Sequence, residues 1–244
     1  MKARTYTVEK DLIFKTVDGD NLRLEMYRPV QGGLKPAVIV VHGGGWTSRT
    51  GDMRSICQEI AAAGFIAINI TYRLAPETHF PKSVEDVKDA IAWVKANAEK
   101  YEIDPKNISG WGYSAGSNLI LLAGLDPKEG LRAIVAGGTP ADLTAWPDSP
   151  LVYKFLGSSL KEKPELWKQA SPVNFVKKGS PRVFLYHGED DTLVEIDQMD
   201  KMAQALKAKD VPVETLRIKS LGHIMVYFLD QKSVDQGIRF LKEN

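Results

Sequence analysis

The run Asn107-Ile108-Ser109-Gly110-Trp111-Gly112-Tyr113-Ser114-Ala115-Gly116 decides the fold. Asn107 to Trp111 reads as a short strand, and the segment after Ser114 reads as a helix. Between them, Gly112 to Gly116 matches G-x-S-x-G. In that pattern the serine sits on a strained strand-to-helix turn, and a side chain at either glycine would crowd the turn and bury the hydroxyl. About one random chain of this composition in twelve contains the pattern somewhere, so it gains weight only from the strand before it and the helix after it.

Outward from this turn, strand-like and helix-like segments alternate. Tyr6 to Phe14 and Leu22 to Tyr27 read as an opening hairpin turning at Asp18-Gly19-Asp20. Ala37 to Val41 and Phe65 to Ile70 are continuous apolar runs of the buried parallel type. Ser83-Val84-Glu85-Asp86 reads as a helix start with a capping hydroxyl, after which Val84, Val87, Ile91 and Val94 share one face. Leu131 to Ala136, Arg182 to Tyr186 and Val213 to Ile218 are further strands. Ile196, Met199, Ala203 and Leu206 mark an amphipathic helix, and Tyr227 to Leu241 a final one. This order predicts an α/β fold: a mostly parallel central sheet with helices on both faces, binding ligands beyond the carboxyl ends of its strands. The 244 residues are expected to form one domain, 1–244. Residues 140–180, rich in proline and aromatic side chains, are too long for a simple connection and read as a lid or pocket wall.

Directly after Ala37 to Val41 comes His42-Gly43-Gly44-Gly45-Trp46. A chance H-G-G-G is rare, on the order of one chain in five hundred. Glycines beyond a strand end leave backbone N–H groups free to face a developing oxyanion, worth ~3 kcal/mol each in a transition state. A phosphate loop is disfavoured because no G-K-[ST] follows. A base for Ser114 follows by elimination among four histidines. His42 belongs to the glycine motif, His79 lies in a proline-flanked surface loop, and His187 ends a strand in a structural setting. His223, in Leu221-Gly222-His223, alone follows every plausible acid. Glu189, Asp190 and Asp191 all lie where an acid could accept the second ring N–H of His223, and spacing does not choose among them.

Bulk properties bound the partners. Apolar residues make up 43% and charged residues 26%, and the formal net charge is +1, so nothing points to nucleic acid or a membrane surface. Cys57 is the only cysteine, which excludes an intrachain disulfide and a thiolate metal cluster. The opening residues lack the apolar stretch of a signal peptide, and no run reaches the ~18 apolar residues of a spanning helix. A cytoplasmic protein, monomer or homodimer, is expected.

Together the motifs resemble the α/β-hydrolase fold and, within it, the hormone-sensitive-lipase-like bacterial esterases. The resemblance covers Lys35 to Asn244. It rests on HGGGW at His42 to Trp46, YRLAPE at Tyr72 to Glu77, GYSAG at Gly112 to Gly116, HGEDDTLV at His187 to Val194, and Gly222-His223. It implies Asp191 as the acid, because H-G-x-x-D-x-x-V sets Val194 in register. It also implies oxyanion donors at the backbone N–H groups of Gly44, Gly45 and Ala115, with Gly43 serving the turn and Arg73 and Asp86 structural. Two departures stand out. Ser117 replaces the last glycine of G-x-S-A-G-G, and His42 comes too early for the N-terminal helical cap of larger members. The expectation is a serine esterase for short acyl chains and a bulky or varied alcohol, using Ser114, Asp191 and His223, with no metal or organic cofactor and a small-molecule ester as partner. An amidase, formamidase or peptidase could use the same residues. An inactive hydrolase scaffold serving as a binding protein is a reading of a different class. A thiol hydrolase based on Cys57 fails, because no elbow surrounds it.

Overall fold

The computed structural model describes residues 5–243. β1 (Tyr6–Val17) and β2 (Asp20–Pro29) form an antiparallel hairpin closed at the Val17–Asp20 pair. Its two turn residues, Asp18 and Gly19, both have positive φ, as a tight turn matched to strand twist requires. Next come β3 (Lys35–Val41), α1 (Arg54–Ala62), β4 (Ile66–Ile70), α2 (Lys82–Ala96), β5 (Ile103–Tyr113) and α3 (Ala115–Gly124). They are followed by β6 (Ala133–Gly137), α4 (Pro150–Leu156), α5 (Pro164–Gln169), β7 (Arg182–Gly188), α6 (Asp197–Lys207), β8 (Val213–Ile218), α7 (His223–Leu229) and α8 (Gln231–Lys242).

The strands form one sheet in the order β1-β2-β4-β3-β5-β6-β7-β8. Only β1 and β2 run antiparallel to their neighbours; every pairing from β4 to β8 is parallel. The twofold alternation of side chains divides the core between the two faces. Val38 and Val40 pack with Ile56, Cys57 and Ile60 of α1 and Phe240 and Leu241 of α8. Ala37, Ile39 and Val41 pack with Val87 and Ile91 of α2 and Leu119 and Ile120 of α3. On the first face Trp111 is fully buried, and a Cβ on Gly237 would stand 2.5 Å from its ring, so α8 can lie this close only with glycine there. Among the described residues no helix is long and apolar enough to cross a membrane.

Three sequence expectations need correction. The helix expected to be capped by Ser83 begins one residue earlier, at Lys82, without a side-chain cap. Ser83 lies inside it, buried, its hydroxyl without a partner. The final helix is two: Asp230 ends α7, and its carboxylate accepts from the Ser233 N–H to start α8. The strand expected over Asn107 to Trp111 is longer, continuing to Tyr113 at the foot of the serine turn. Arg73 and Asp86 take the structural place expected of them. The fully buried Asp86 carboxylate accepts from the Arg73 backbone N–H at 2.9 Å, from Arg73 Nη2 at 2.8 Å and from Lys15 Nζ at 2.7 Å, joining β1, the chain beyond β4, and α2.

The parallel register aligns the carboxyl ends of the central strands. Val41 lies beside Gly112, Tyr113 beside Gly137, and Gly188 beside Ile218. The loops that leave this edge carry His42 to Gly45, Ser114, Gly138, Asp191 and His223.

Candidate active site

Ser114 links β5 directly to α3, with φ 54° and ψ −125°, a conformation that non-glycine residues avoid. Two close approaches hold it there. A Cβ on Gly112 would stand 2.4 Å from the Gly116 carbonyl oxygen, and one on Gly116 would stand 2.1 Å from that of Val41. The Ser114 N–H donates to Gly137 O at 2.8 Å, pinning the turn to β6. Ser117, the residue that departs from the family pattern, is buried and donates its hydroxyl to Ser114 O at 2.6 Å. The departure therefore adds a brace beneath the turn.

His223 is the first residue of α7, and its carbonyl accepts from the Tyr113 hydroxyl at 2.5 Å. This anchors His223 to the residue before the serine. His223 Nε2 lies 2.8 Å from Ser114 Oγ, and its Nδ1 lies 2.6 Å from Asp191 Oδ2. Of the three adjacent acids only Asp191 turns inward; Glu189 and Asp190 are exposed. The other Asp191 oxygen, Oδ1, accepts from the N–H groups of Leu193 and Val194 at 3.0 and 2.9 Å. Burial would raise the Asp191 carboxyl, but donors from His187, His223 and the Val194 backbone outweigh it and hold the group well below the usual carboxylate range. The nearby Tyr113 phenol is pushed far above its ordinary value, chiefly by burial, and stays protonated as a donor.

The glycine loop faces this trio. A Cβ on Gly43 would stand 3.4 Å from Ser114 Cβ, and one on Gly45 would stand 3.2 Å from Leu151 Cδ2 of α4. Trp46 stacks on Phe155 with ring centroids 4.5 Å apart. The 140–180 segment, which holds α4, α5 and two short 3-10 turns, thus lies against the glycine loop on that side. Among the described residues, the N–H groups of Gly44, Gly45 and Ala115 have no protein acceptor. His42 itself is buried and stacks on Tyr72 at 4.2 Å. Burial, only partly opposed by its bond to Gly43 O, pushes its imidazole down to about 4. It therefore stays neutral as part of the loop's frame. His79 is exposed and bonds Lys154 O. A charged cavity of about 260 Å³ is lined by His42, Arg23, Arg49 and Asp52 among others; Ser114 is not part of its wall.

One neighbour of the trio has only a structural reading in the sequence. His187 is fully buried, with Nε2 3.3 Å from Asp191 Oδ2. Its signal was its spacing, four residues before the acid at the end of a strand.

An eight-stranded, mostly parallel sheet with a serine on a strained elbow and a histidine and carboxylate beyond β7 and β8 defines an α/β-hydrolase. The BD-FAE family matches residues 24–206, and the chain belongs to it, within the hormone-sensitive-lipase-like hydrolases. Esterase LipC of Mycobacterium tuberculosis is 30% identical over 225 residues, covering 82% of this chain and 56% of LipC. The chain spans about half the length of the curated relatives it matches first. A truncated carbohydrate esterase from gut microbiota shares the fold with a TM-score of 0.87 at 24% identity, covering 98% of this chain and 96% of that one. Thermogutta terrifontis esterase 2, solved with butyrate bound, does so at 0.82 and 23% identity, covering 97% and 93%.

Proposed function

We propose that the protein is a serine esterase that hydrolyses short-chain carboxylic esters through an acyl-enzyme on Ser114. The observation that carries this is the relay from Ser114 Oγ to His223 Nε2 at 2.8 Å and from His223 Nδ1 to Asp191 Oδ2 at 2.6 Å. Ser114 Oγ attacks the ester carbonyl while His223 takes its proton, and Asp191 steadies the imidazolium. The carbonyl oxygen gains negative charge beside the acceptor-free N–H groups of Gly44, Gly45 and Ala115. His223 returns the proton to the leaving alcohol, and water then releases the acid by the same path. Each step moves only electron pairs and protons between groups already named.

Leu151 against Gly45 limits the room beside these N–H groups, which supports a short acyl group. Esterases among the relatives support the same bond class, including an ethyl acetate hydrolase of Pseudomonas putida. The substrate is a small ester, and the setting we propose is the cytoplasm, where the buried free thiol of Cys57 is stable. Ser114→Ala is expected to lower kcat on p-nitrophenyl acetate by at least about 10³-fold while leaving circular dichroism unchanged. Substantial hydrolysis by that variant refutes the assignment. A p-nitrophenyl series tests the acyl preference, and long chains turning over faster than acetate and butyrate would overturn it. Matched ester and amide substrates separate esterase from amidase. Labelling by a fluorophosphonate separates both from an inactive scaffold.

A further inference from the structure

His187 is the penultimate residue of β7 and is buried without accessible surface. Its Nε2 lies 2.7 Å from Val194 O and 3.3 Å from Asp191 Oδ2. A carbonyl oxygen only accepts, so Nε2 carries the ring proton. Nδ1 is buried with no partner, so a second proton there would be an unpaired buried donor. The ring therefore presents an Nε2–H donor to Val194 O, and the Asp191 carboxylate lies 3.3 Å from the same nitrogen. Val194 in turn donates its N–H to Asp191 Oδ1. One imidazole thus ties together both ends of the turn that presents the acid, and Oδ2 lies between two imidazoles, His187 at 3.3 Å and His223 at 2.6 Å.

We propose that His187 is a positioning residue for the acyl-transfer reaction: bonded to Val194 O, it holds the turn that aims Asp191 at His223, and its Nε2–H dipole, 3.3 Å from Oδ2, offsets part of the carboxylate's charge, setting how tightly the carboxylate holds the imidazolium. The role rests on the esterase reading of Ser114, Asp191 and His223. The sign of its effect follows from electrostatics. Without the His187 donor, the charge on Asp191 is concentrated toward His223, and the protonated base is held more firmly. A higher pH is then needed to free the base for Ser114, so the acid limb of the rate profile moves up. Among the described residues, the other ionisable groups at this corner are exposed or engaged elsewhere, with the Tyr227 hydroxyl on Asp52 O and the Asp230 carboxylate on the Ser233 N–H. Glu189 and Asp190 are exposed, Glu195 accepts from Trp146 Nε1, Asp197 of α6 pairs with Lys201, and the Tyr113 hydroxyl is committed to His223 O.

The test compares the full chain with His187→Phe, which fills the space without a donor, and His187→Gln, whose amide can return an N–H near the Nε2 position. With p-nitrophenyl acetate, His187→Phe is expected to lower kcat about 10-fold with little change in KM. Its acid limb of kcat/KM is expected to move up by about half a pH unit. His187→Gln is expected to restore most of both. If Phe abolishes cooperative melting, His187→Leu removes the same donor in less volume and is judged by the same criteria. The low-field proton resonance of the His223–Asp191 hydrogen bond gives a readout that needs no turnover, and it is expected to move in the Phe variant and return in the Gln variant. An unmoved or downward-moving limb with an unmoved resonance, or a Gln variant as impaired as Phe, overturns the role. A wild type without Ser114-dependent turnover defeats the esterase reading instead, while the resonance still reports on His187.

Discussion

At Ser114 a demand of chemistry is met at the expense of backbone comfort. The φ of 54° lifts the hydroxyl out of the turn toward His223, and strain of this kind costs on the order of 1–3 kcal/mol. Ser114→Gly relieves it, at some cost in unfolded-chain entropy. That variant is expected to be inactive yet about 1 kcal/mol more stable than wild type by urea unfolding. A less stable variant would mean that the hydroxyl's own contacts outweigh the strain. Asp191 shows the complementary case, a buried charge stabilised by its donors. Its carboxyl is depressed in the folded protein, so its contribution to stability is complete above the unfolded value of about 4 and drains away as pH falls below it. Asp191→Asn is therefore expected to be less stable than wild type at neutral pH, with a gap that begins to narrow as pH falls below about 4 and keeps narrowing at lower pH. A gap that stays constant would show that the loss is one of packing alone. The choice of Asp191 over Glu189 and Asp190 was not legible from residue type or spacing. All three are acids within one turn, and only the path of the backbone out of β7 decides which faces inward.

The elements divide by how local their signals are. The hairpin of β1 and β2 and the apolar runs of β3 and β4 were legible because turn chemistry and burial on both faces are written into adjacent residues. The break between α7 and α8 was not. Apolar residues continue from Val226 to Leu229 up to it, and the stop is made by Asp230 turning its side chain to the Ser233 N–H. Ser83 misled for a related reason: a serine three residues before an acid resembles a cap, but the chain entered the helix at Lys82, and the hydroxyl went into the core. The start of α2 is instead tied from outside, through Asp86. Removing that carboxylate leaves Arg73 with only the exposed Asp18 and Lys15 with only Asp89, and breaking such a buried pair typically costs about 3–5 kcal/mol. Asp86→Ala is expected to lose that much in urea denaturation. A change below about 1 kcal/mol would reassign the cluster to the surface class of ion pairs.

Seen whole, the site is strung along one edge of the sheet, and its members rest on foundations of unequal depth. β5, which bears the serine, lies in the interior of the sheet between β3 and β6. The acid leaves β7, and the base leaves β8, which is the outermost strand and is half exposed along its length. Asp191 and His223 thus sit on neighbouring strands and travel together, whereas the serine is anchored two strands further in. Edge strands open at lower free energy than central ones. Warming is therefore expected to fray the β8 margin first, carrying acid and base away as an intact couple. Ester turnover should fade several degrees below the melting of the Trp111 core, with full recovery on cooling from that interval. On the proposed esterase reading, the working temperature is expected to be set by the β8 edge, and substitutions that stitch β8 to β7 are expected to raise it without touching a reacting atom.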